Sequence, residues 1–406
     1  SSLAVAGAGV FVALKSTLDP GGAVNEGVFR PIKLIAPKAS IVDVREDAPA
    51  GAHGEVRKRA VSVPLGCLSQ IIPDRVSGDL CGTSFPNSIG GWDSKRSRPY
   101  VYYEVPAGGN GGFKEADGSS AFVNVDFGNI RSIHNVENLE IDMPVRVEHC
   151  RLRTNSGGPG NKRGGLGMQR ALRMLDKEAT YSVLSDRAVI PPYGILGGGS
   201  GAPVSVSIES RDGVKSMDVP GKATGYIIRK GDLVVMESAG GGGFGDPLSR
   251  SSEEVRKDIA AGYVSADQAR SVYGVYIDEN GLVDEVETRH LRGKLRSSDL
   301  TLEVFEGDSD PYEGIKGRHR TISISRTFAQ ENGLTDGHLV ELVGKYPSPL
   351  RGWVKLKDGE ASKSFAIKLD RFARRCLGVG AGDRIRIRAL PTLVQPGEKY
   401  VTGLGA

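Results

Sequence analysis

Apolar residues fill the chain from Leu3 to Leu14, and the pattern from Ala4 to Thr17 predicts a buried helix that Leu18-Asp19-Pro20-Gly21-Gly22 ends by turn chemistry. Residues 29–35 read as extended. Val61 to Ile72 carries apolar positions at near-helical spacing and stops at Pro73, which predicts a second helix. Alternation then takes over. Tyr100 to Val105, Ala121 to Val125 and Val145 to Leu152 predict strands, and Leu233 to Met236 predicts another. After Pro247 the period returns to helical: Ser251 with Glu254 forms a capping-box pattern for a helix ending near Gly262, and Ser265 with Gln268 opens one ending near Gly274. Residues 277–299 are mostly polar and charged and read as a linker.

Glycine runs separate the strands: 108–112, 156–160, 197–199 and 240–245. They read as turns, whose free amides can hold an anion and whose missing side chains admit close backbone approach. The last run matches GxGxxG at Gly240, Gly242 and Gly245 after a strand, but Asp246-Pro247 follows in place of a helix start, which argues against a nucleotide cradle.

An internal repeat begins near Leu300. Ile322, Ile324, Arg326, Gly333, Gly337, Val340 and Leu342 recur 45 positions later as Ile367, Leu369, Arg371, Gly378, Gly382, Ile385 and Ile387. Each unit reads strand, short helix, glycine turn, strand. Neither could bury its apolar face alone, so a pseudo-twofold barrel of two interlocked units is expected over residues 300–406. The stretches ENGLTDGHLVELVG and KLDRFARRCLGVGAGDRIRIR resemble the double-psi β-barrel of the amino-terminal domain of AAA ATPases. That resemblance implies docking of partners. Arg374-Arg375 is a candidate anion site beside the plainer reading of a solvated helix face.

Composition narrows the classes. With 406 residues and 39% hydrophobic content the chain can bury two or three domains, and 56 Gly with 21 Pro favour a β-rich α+β fold. The formal charge of +4 is small and dispersed, so no nucleic-acid partner is expected. Cys67, Cys81, Cys150 and Cys376 lie far apart with no zinc spacing, and no run of 18 apolar residues occurs; a cytoplasmic protein with reduced thiols and no membrane partner is expected. The chain opens on Ser1. An amino-terminal serine can be a nucleophile with its own amine as base, but processing or a split gene is the simpler expectation.

Residues 1–276 carry a more specific signal. In order they contain NEGVFRPIKLIAPKAS, IIPDRV, PYVYYEVPAGGNGG, MPVRVEHCRLRTNSGGPGNKRGGLG, VPGKATGYIIRKGDLVVMESAGGGGFGDPLSR and DIAAGYVSADQARSVYGV. This region resembles the carboxyl-terminal part of the B-type subunit of the hydantoinase/oxoprolinase family, which includes ATP-dependent hydantoinases, 5-oxoprolinase, lactamases and acetone or acetophenone carboxylases. The resemblance implies an A-type partner subunit that uses ATP to phosphorylate an amide or enol oxygen, after which the B-type subunit completes ring opening or carboxylation. It further implies a divalent metal on an HxxD motif in the amino-terminal half of the B-type subunit, on residues this chain does not contain; no HxxD, HxH or HExxH occurs among its six histidines. A separate amino-terminal half is therefore an expected partner, and a scaffold lacking catalysis is the alternative.

The candidate catalytic residues are His134, Glu137 and Glu148. Carboxylates serve as acid or base, and histidine is the side chain type whose charge changes nearest neutral pH. Glu55, Asn135, Arg153, Asn155, Ser156 and Gly157 are candidates for lining a substrate, oxyanion or phosphate pocket. Against each stands the plainer reading of a paired surface carboxylate, a bonded histidine or a structural turn.

Overall fold

A computed structural model describes residues 1–122, 133–217, 220–307, 320–357 and 365–390. Helices α1 (Leu3–Leu18), α2 (Glu26–Phe29) and α3 (His53–Ser69) precede strands β1 (Asn87–Asp93) and β2 (Arg98–Glu104). Helix α4 (Val136–Asp142) leads into β3 (Val145–Leu152), β4 (Met168–Met174) and β5 (Glu178–Leu184), followed by β6 (Ser205–Ser210), β7 (Gly213–Ser216), β8 (Lys222–Arg229) and β9 (Leu233–Glu237). Helix α3 starts eight residues before the expected Val61 and runs through Pro64. Packing on α1 outweighs the amide that proline lacks: a methyl on Gly9 would lie 2.7 Å from the Arg57 carbonyl oxygen. Residues 32–37 join no ladder, and the strand expected over 121–125 lies, from residue 123 on, outside the described residues.

Among the described residues β2-β1-β5-β8 form one sheet and β3-β4-β9-β6-β7 a second. Alternate positions of β2 and β5 are buried, so each sheet turns one face inward. Ile89, Tyr181 and Ile228 of the first sheet meet Leu172, Val206 and Met236 of the second in a shared core.

Of the glycine runs only 197–199 begins in a turn, the Gly198 amide donating to the Ile195 carbonyl at 3.0 Å; the others are largely extended. Residues 239–245 form an extended rod whose amides point in three successive directions: Gly240 and Gly243 donate to Ala202 and Gly199, Gly241 and Phe244 to Gly165 and Lys162, and Gly242 to Asp79. Its carbonyls repeat likewise, Ala239 and Gly242 accepting from Gly109 and Gly112. A period of three residues is that of polyproline II, which makes no bonds to itself and must find them on its neighbours. Five neighbouring segments supply them, and only glycine permits the approach: a methyl on Gly242 would sit 1.8 Å from the Tyr193 carbonyl oxygen. This bundle fills the place a nucleotide would need at the GxGxxG run.

Helices α5 (Ser252–Ala260) and α6 (Ala266–Ser271) follow as expected, and Ser265 caps α6 by accepting from Gln268, whereas Ser251 makes no side-chain cap bond. Within the segment read as a linker, α7 (Glu285–Ser297) is helical and its Arg292 donates to the carbonyls of Tyr273 and Arg250. Buried Arg250 in turn holds Asp117 through two bonds of 2.7 Å and Asp258 at 2.9 Å, tying this helical unit to the glycine bundle.

The remainder is the duplicated unit: β10 (Thr301–Glu306), β11 (Thr321–Ser325), α8 (Arg326–Glu331) and β12 (Leu339–Val343), then β13 (Leu350–Lys357), β14 (Ala366–Leu369), α9 (Arg371–Leu377) and β15 (Arg384–Ala389). The strand order β11-β13-β12-β15-β10-β14 places the first strand of each unit between the second and third strands of the other. The outer strands β11 and β14 also lie against each other, so the sheet is nearly closed into a barrel. The two units meet at Leu342 opposite Ile387, positions related by the 45-residue offset. Fully buried Glu341 accepts from Arg351 and Arg388, which reach on to Ser200 and to the carbonyls of Gly197 and Gly198, and so dock the barrel on the glycine bundle. Among the described residues no helix is long and apolar enough to cross a membrane.

Candidate functional site

Strand β2 points Tyr102 and Glu104 inward on the same face, and β4 points Arg170 toward them. All three are buried, Arg170 and Tyr102 completely. A buried carboxylate needs partners on both oxygens. Glu104 Oε2 lies 2.8 Å from Arg170 Nε and accepts from the Tyr102 hydroxyl, while Oε1 accepts from the His134 amide at 2.7 Å. Arg170 completes a clamp by donating to the His134 carbonyl at 3.0 Å. Burial, with the Glu104 charge beside it, pushes the Tyr102 phenol well above its ordinary range, so it stays a neutral donor.

This hub fixes an exposed turn. His134 faces solvent with its ring edge-on to Tyr102 at 5.9 Å, Asn135 precedes α4, and Glu137 is exposed in the first turn of that helix. Three of the residues singled out from sequence are thus neighbours on one anchored turn. The arrangement can present an imidazole for proton transfer, its backbone held from both sides, while Glu104, with both oxygens occupied as acceptors, acts by positioning.

The other candidates lie elsewhere. Glu148 occupies a bulge in β3, and hydrogen bonds from Arg146 and Arg173 hold its carboxyl below the usual range. Among the described residues no hydrogen bond joins it to His134 or Glu137. Glu55, buried at the start of α3, accepts from the Thr83 hydroxyl at 2.6 Å and the Ser84 amide at 2.8 Å. Arg153 reaches the Pro203 carbonyl at 2.6 Å and Glu237 at 3.2 Å. Asn155, at φ 62°, bonds the backbone and side chain of Ser265, Ser156 bonds the Arg153 carbonyl, and Gly157 packs against Gly164. These four join the glycine bundle to its surroundings.

Tyr102, Glu104 and Arg170 were missed in the sequence. The alternation of RPYVYYE does place a glutamate on the buried face, a signal that it has a charged partner; the partner itself is 66 positions away. Among the described residues no three His, Cys, Asp or Glu side chains gather as a metal would require, so the residues present do not fit the implied divalent metal.

Known proteins resemble much of this chain. It is 29% identical over 284 residues to the B-type subunit of a putative D-/L-hydantoinase from a Pseudomonas species, covering 69% of this chain and 46% of the relative. It is 31% identical over 293 residues to the beta chain of the caprolactamase of Pseudomonas jessenii, covering 69% and 49%. The crystal structure of the ATP-dependent caprolactamase from Pseudomonas jessenii superposes with a TM-score of 0.64 at 30% identity, covering 70% of this chain and 50% of the other. The chain spans about half the length of these relatives. With the family profile described as Hydantoinase B/oxoprolinase matching residues 1–247, the chain belongs to that family.

Proposed function

We propose that this chain is part of the B-type subunit of an ATP-dependent enzyme that opens a cyclic amide such as a hydantoin, oxoproline or lactam, after an A-type partner has phosphorylated the substrate. The observation that carries this reading is the likeness, across residues that include the clamped His134 turn, to proteins described as subunits of a hydantoinase and a caprolactamase. Phosphorylation of the amide oxygen makes the ring carbon a reactive electrophile, so positioning and electrostatics suffice for attack by water. The C–N bond then breaks as the ring nitrogen takes a proton, and hydrolysis of the acyl phosphate left behind releases phosphate. His134 is the proton-transfer residue of this chain and Glu137 its neighbour on the same turn; Glu104, Tyr102 and Arg170 position them. Nucleotide binding is assigned to the A-type partner, since backbone fills the Gly240–Gly245 run. A divalent metal is assigned to the amino-terminal half of the B-type subunit, and no step here depends on it. The barrel, read as a double-psi fold, serves to dock these partners, and four unpaired cysteines suit a cytoplasmic assembly.

Native complex should be purified on this chain, its polypeptides identified, and ATP hydrolysis measured with hydantoin, 5-oxoproline or caprolactam, with and without bicarbonate. Substrate-dependent turnover without bicarbonate is expected, and His134→Ala in an intact complex should lower kcat by about 100-fold, the lower end of a general acid–base contribution. Strict bicarbonate dependence would replace the reading with ketone carboxylation. A chain that travels alone and turns over nothing would leave the scaffold reading.

A further inference from the structure

A cavity of about 680 Å³ opens where the barrel docks on the rest of the protein. Its walls bring together Arg59 and Cys67 of α3, Arg187 and Tyr193 of the loop after β5, and Arg375 and Cys376 of α9. The volume is that of a small-molecule site. The lining is unbalanced in charge: three guanidiniums face one lining carboxylate, Asp79, which is fully buried and already bonded to Arg187. Asp186 lies 4.0 Å from Arg59, and Arg351 nearby is matched by Glu341, so counting both still leaves a guanidinium over.

The cations are also short of acceptors. Arg187 is 93% buried by side chain, yet its Nε has no hydrogen-bond partner, and Nε of Arg59 has none either. Burial and the charge of Arg187 push the Arg59 guanidinium down to about 10, against the opposing pull of Asp79 and Asp186. Arg375, exposed on the rim, makes no ion pair or side-chain hydrogen bond among the described residues. Val63, Tyr346 and Phe372 supply apolar wall beside these groups.

We propose that this cavity binds a small organic oxyanion, a phosphate monoester or a carboxylate, with its charged end on Arg59, Arg187 and Arg375 and its apolar body against Phe372 and Tyr346. Guanidiniums pair with either oxyanion through paired N–H groups, and all three line this cavity with less negative charge around them than they carry. Binding here requires nothing of the activity proposed above.

Phenyl phosphate and benzoate are the probes, titrated calorimetrically into the full chain in low-salt buffer without phosphate. At least one should bind with Kd below about 1 mM, phenyl phosphate the tighter if the site is built for phosphate and benzoate if for carboxylate. Arg375→Met, at an exposed position that leaves the fold alone, should weaken binding about tenfold or more, which is about 1.4 kcal/mol. Mass-resolved maleimide labelling locates the site: bound probe should slow modification of Cys67 and Cys376 and leave exposed Cys150 unchanged. The proposal is overturned if neither probe binds below about 1 mM, if Arg375→Met and Arg59→Met both bind as the native chain does, or if neither cavity thiol is protected.

Discussion

Replacing Gly241 by alanine puts a methyl into the middle of the glycine bundle. The added carbon would stand 1.9 Å from the Asn110 carbonyl oxygen and 2.2 Å from its carbon, both backbone atoms with no flexible end to swing away. Relief requires the rods to part by about 1 Å, which a close-packed interior resists. Parting them strains two bonds, Gly241 to the Gly165 carbonyl at 2.9 Å and Gly158 to the Gly241 carbonyl at 2.8 Å. Overpacking costs about 1–3 kcal/mol and each weakened buried bond about 1 kcal/mol more, so Gly241→Ala should destabilise by about 3–5 kcal/mol. Gly293→Ala is the control. It lies inside α7 with nothing within 4 Å, and there alanine should stabilise by about 0.5–1 kcal/mol. The chain has two tryptophans, Trp92 in β1 and Trp353 in β13, so a Trp353→Phe background lets urea unfolding of the sandwich be followed through Trp92 alone. If Gly241→Ala moved that transition by less than about 1 kcal/mol, the close-packed rod would be the wrong account.

Arg250→Ala, which leaves Asp117 and the buried Asp258 with only Arg163 nearby, should cost about 3 kcal/mol in the same Trp92 assay; a loss within 0.5 kcal/mol, the range of an ordinary surface change, would show that the pair contributes nothing. Burial works to raise the Asp117 pKa, but the Arg250 bond and charge outweigh it and hold the carboxyl below the usual range. A depressed folded pKa stabilises above the unfolded value near 4 and is lost as pH falls through the folded value. Acid unfolding followed by circular dichroism should therefore steepen below about pH 4, and Asp117→Asn should flatten that limb. Glu341→Ala takes the carboxylate from two half-buried guanidiniums, Arg351 and Arg388, at the docking face; Trp353 fluorescence should report a barrel weaker by about 1.5–3 kcal/mol, and an unshifted transition would count against this anchor.

The sequence was legible where side chains alternate against one core. Strand β3 spans Val145–Leu152 as expected, because its inward and outward positions differ in polarity, and the barrel's 45-residue repeat maps onto β11, α8 and β12 and then β14, α9 and β15. The turn reading of the glycine runs holds at Leu196-Gly197 and fails for the rod at 239–245, because a rod bonded every third residue to different neighbours leaves no side-chain pattern at all. Helix α3 was read too short since its first turn, with Glu55 buried against Thr83 and Ser84, is polar for tertiary reasons. His134, Asn135 and Glu137 could be picked out as a polar loop. What anchors them could not, because Glu104 and Arg170 pair across sheets.

The interlocked barrel also constrains when this protein can form. Strand β10 has its ladder partners in β14 and β15, Glu303 pairing with Ala366 and Arg384, so its edges stay open until the last strand has left the ribosome. Contacts so distant in sequence close slowly. During synthesis the sandwich and its glycine core can already be complete while β10 waits, an uncovered edge that a chaperone or a neighbouring nascent chain can reach before its own carboxyl-terminal unit does.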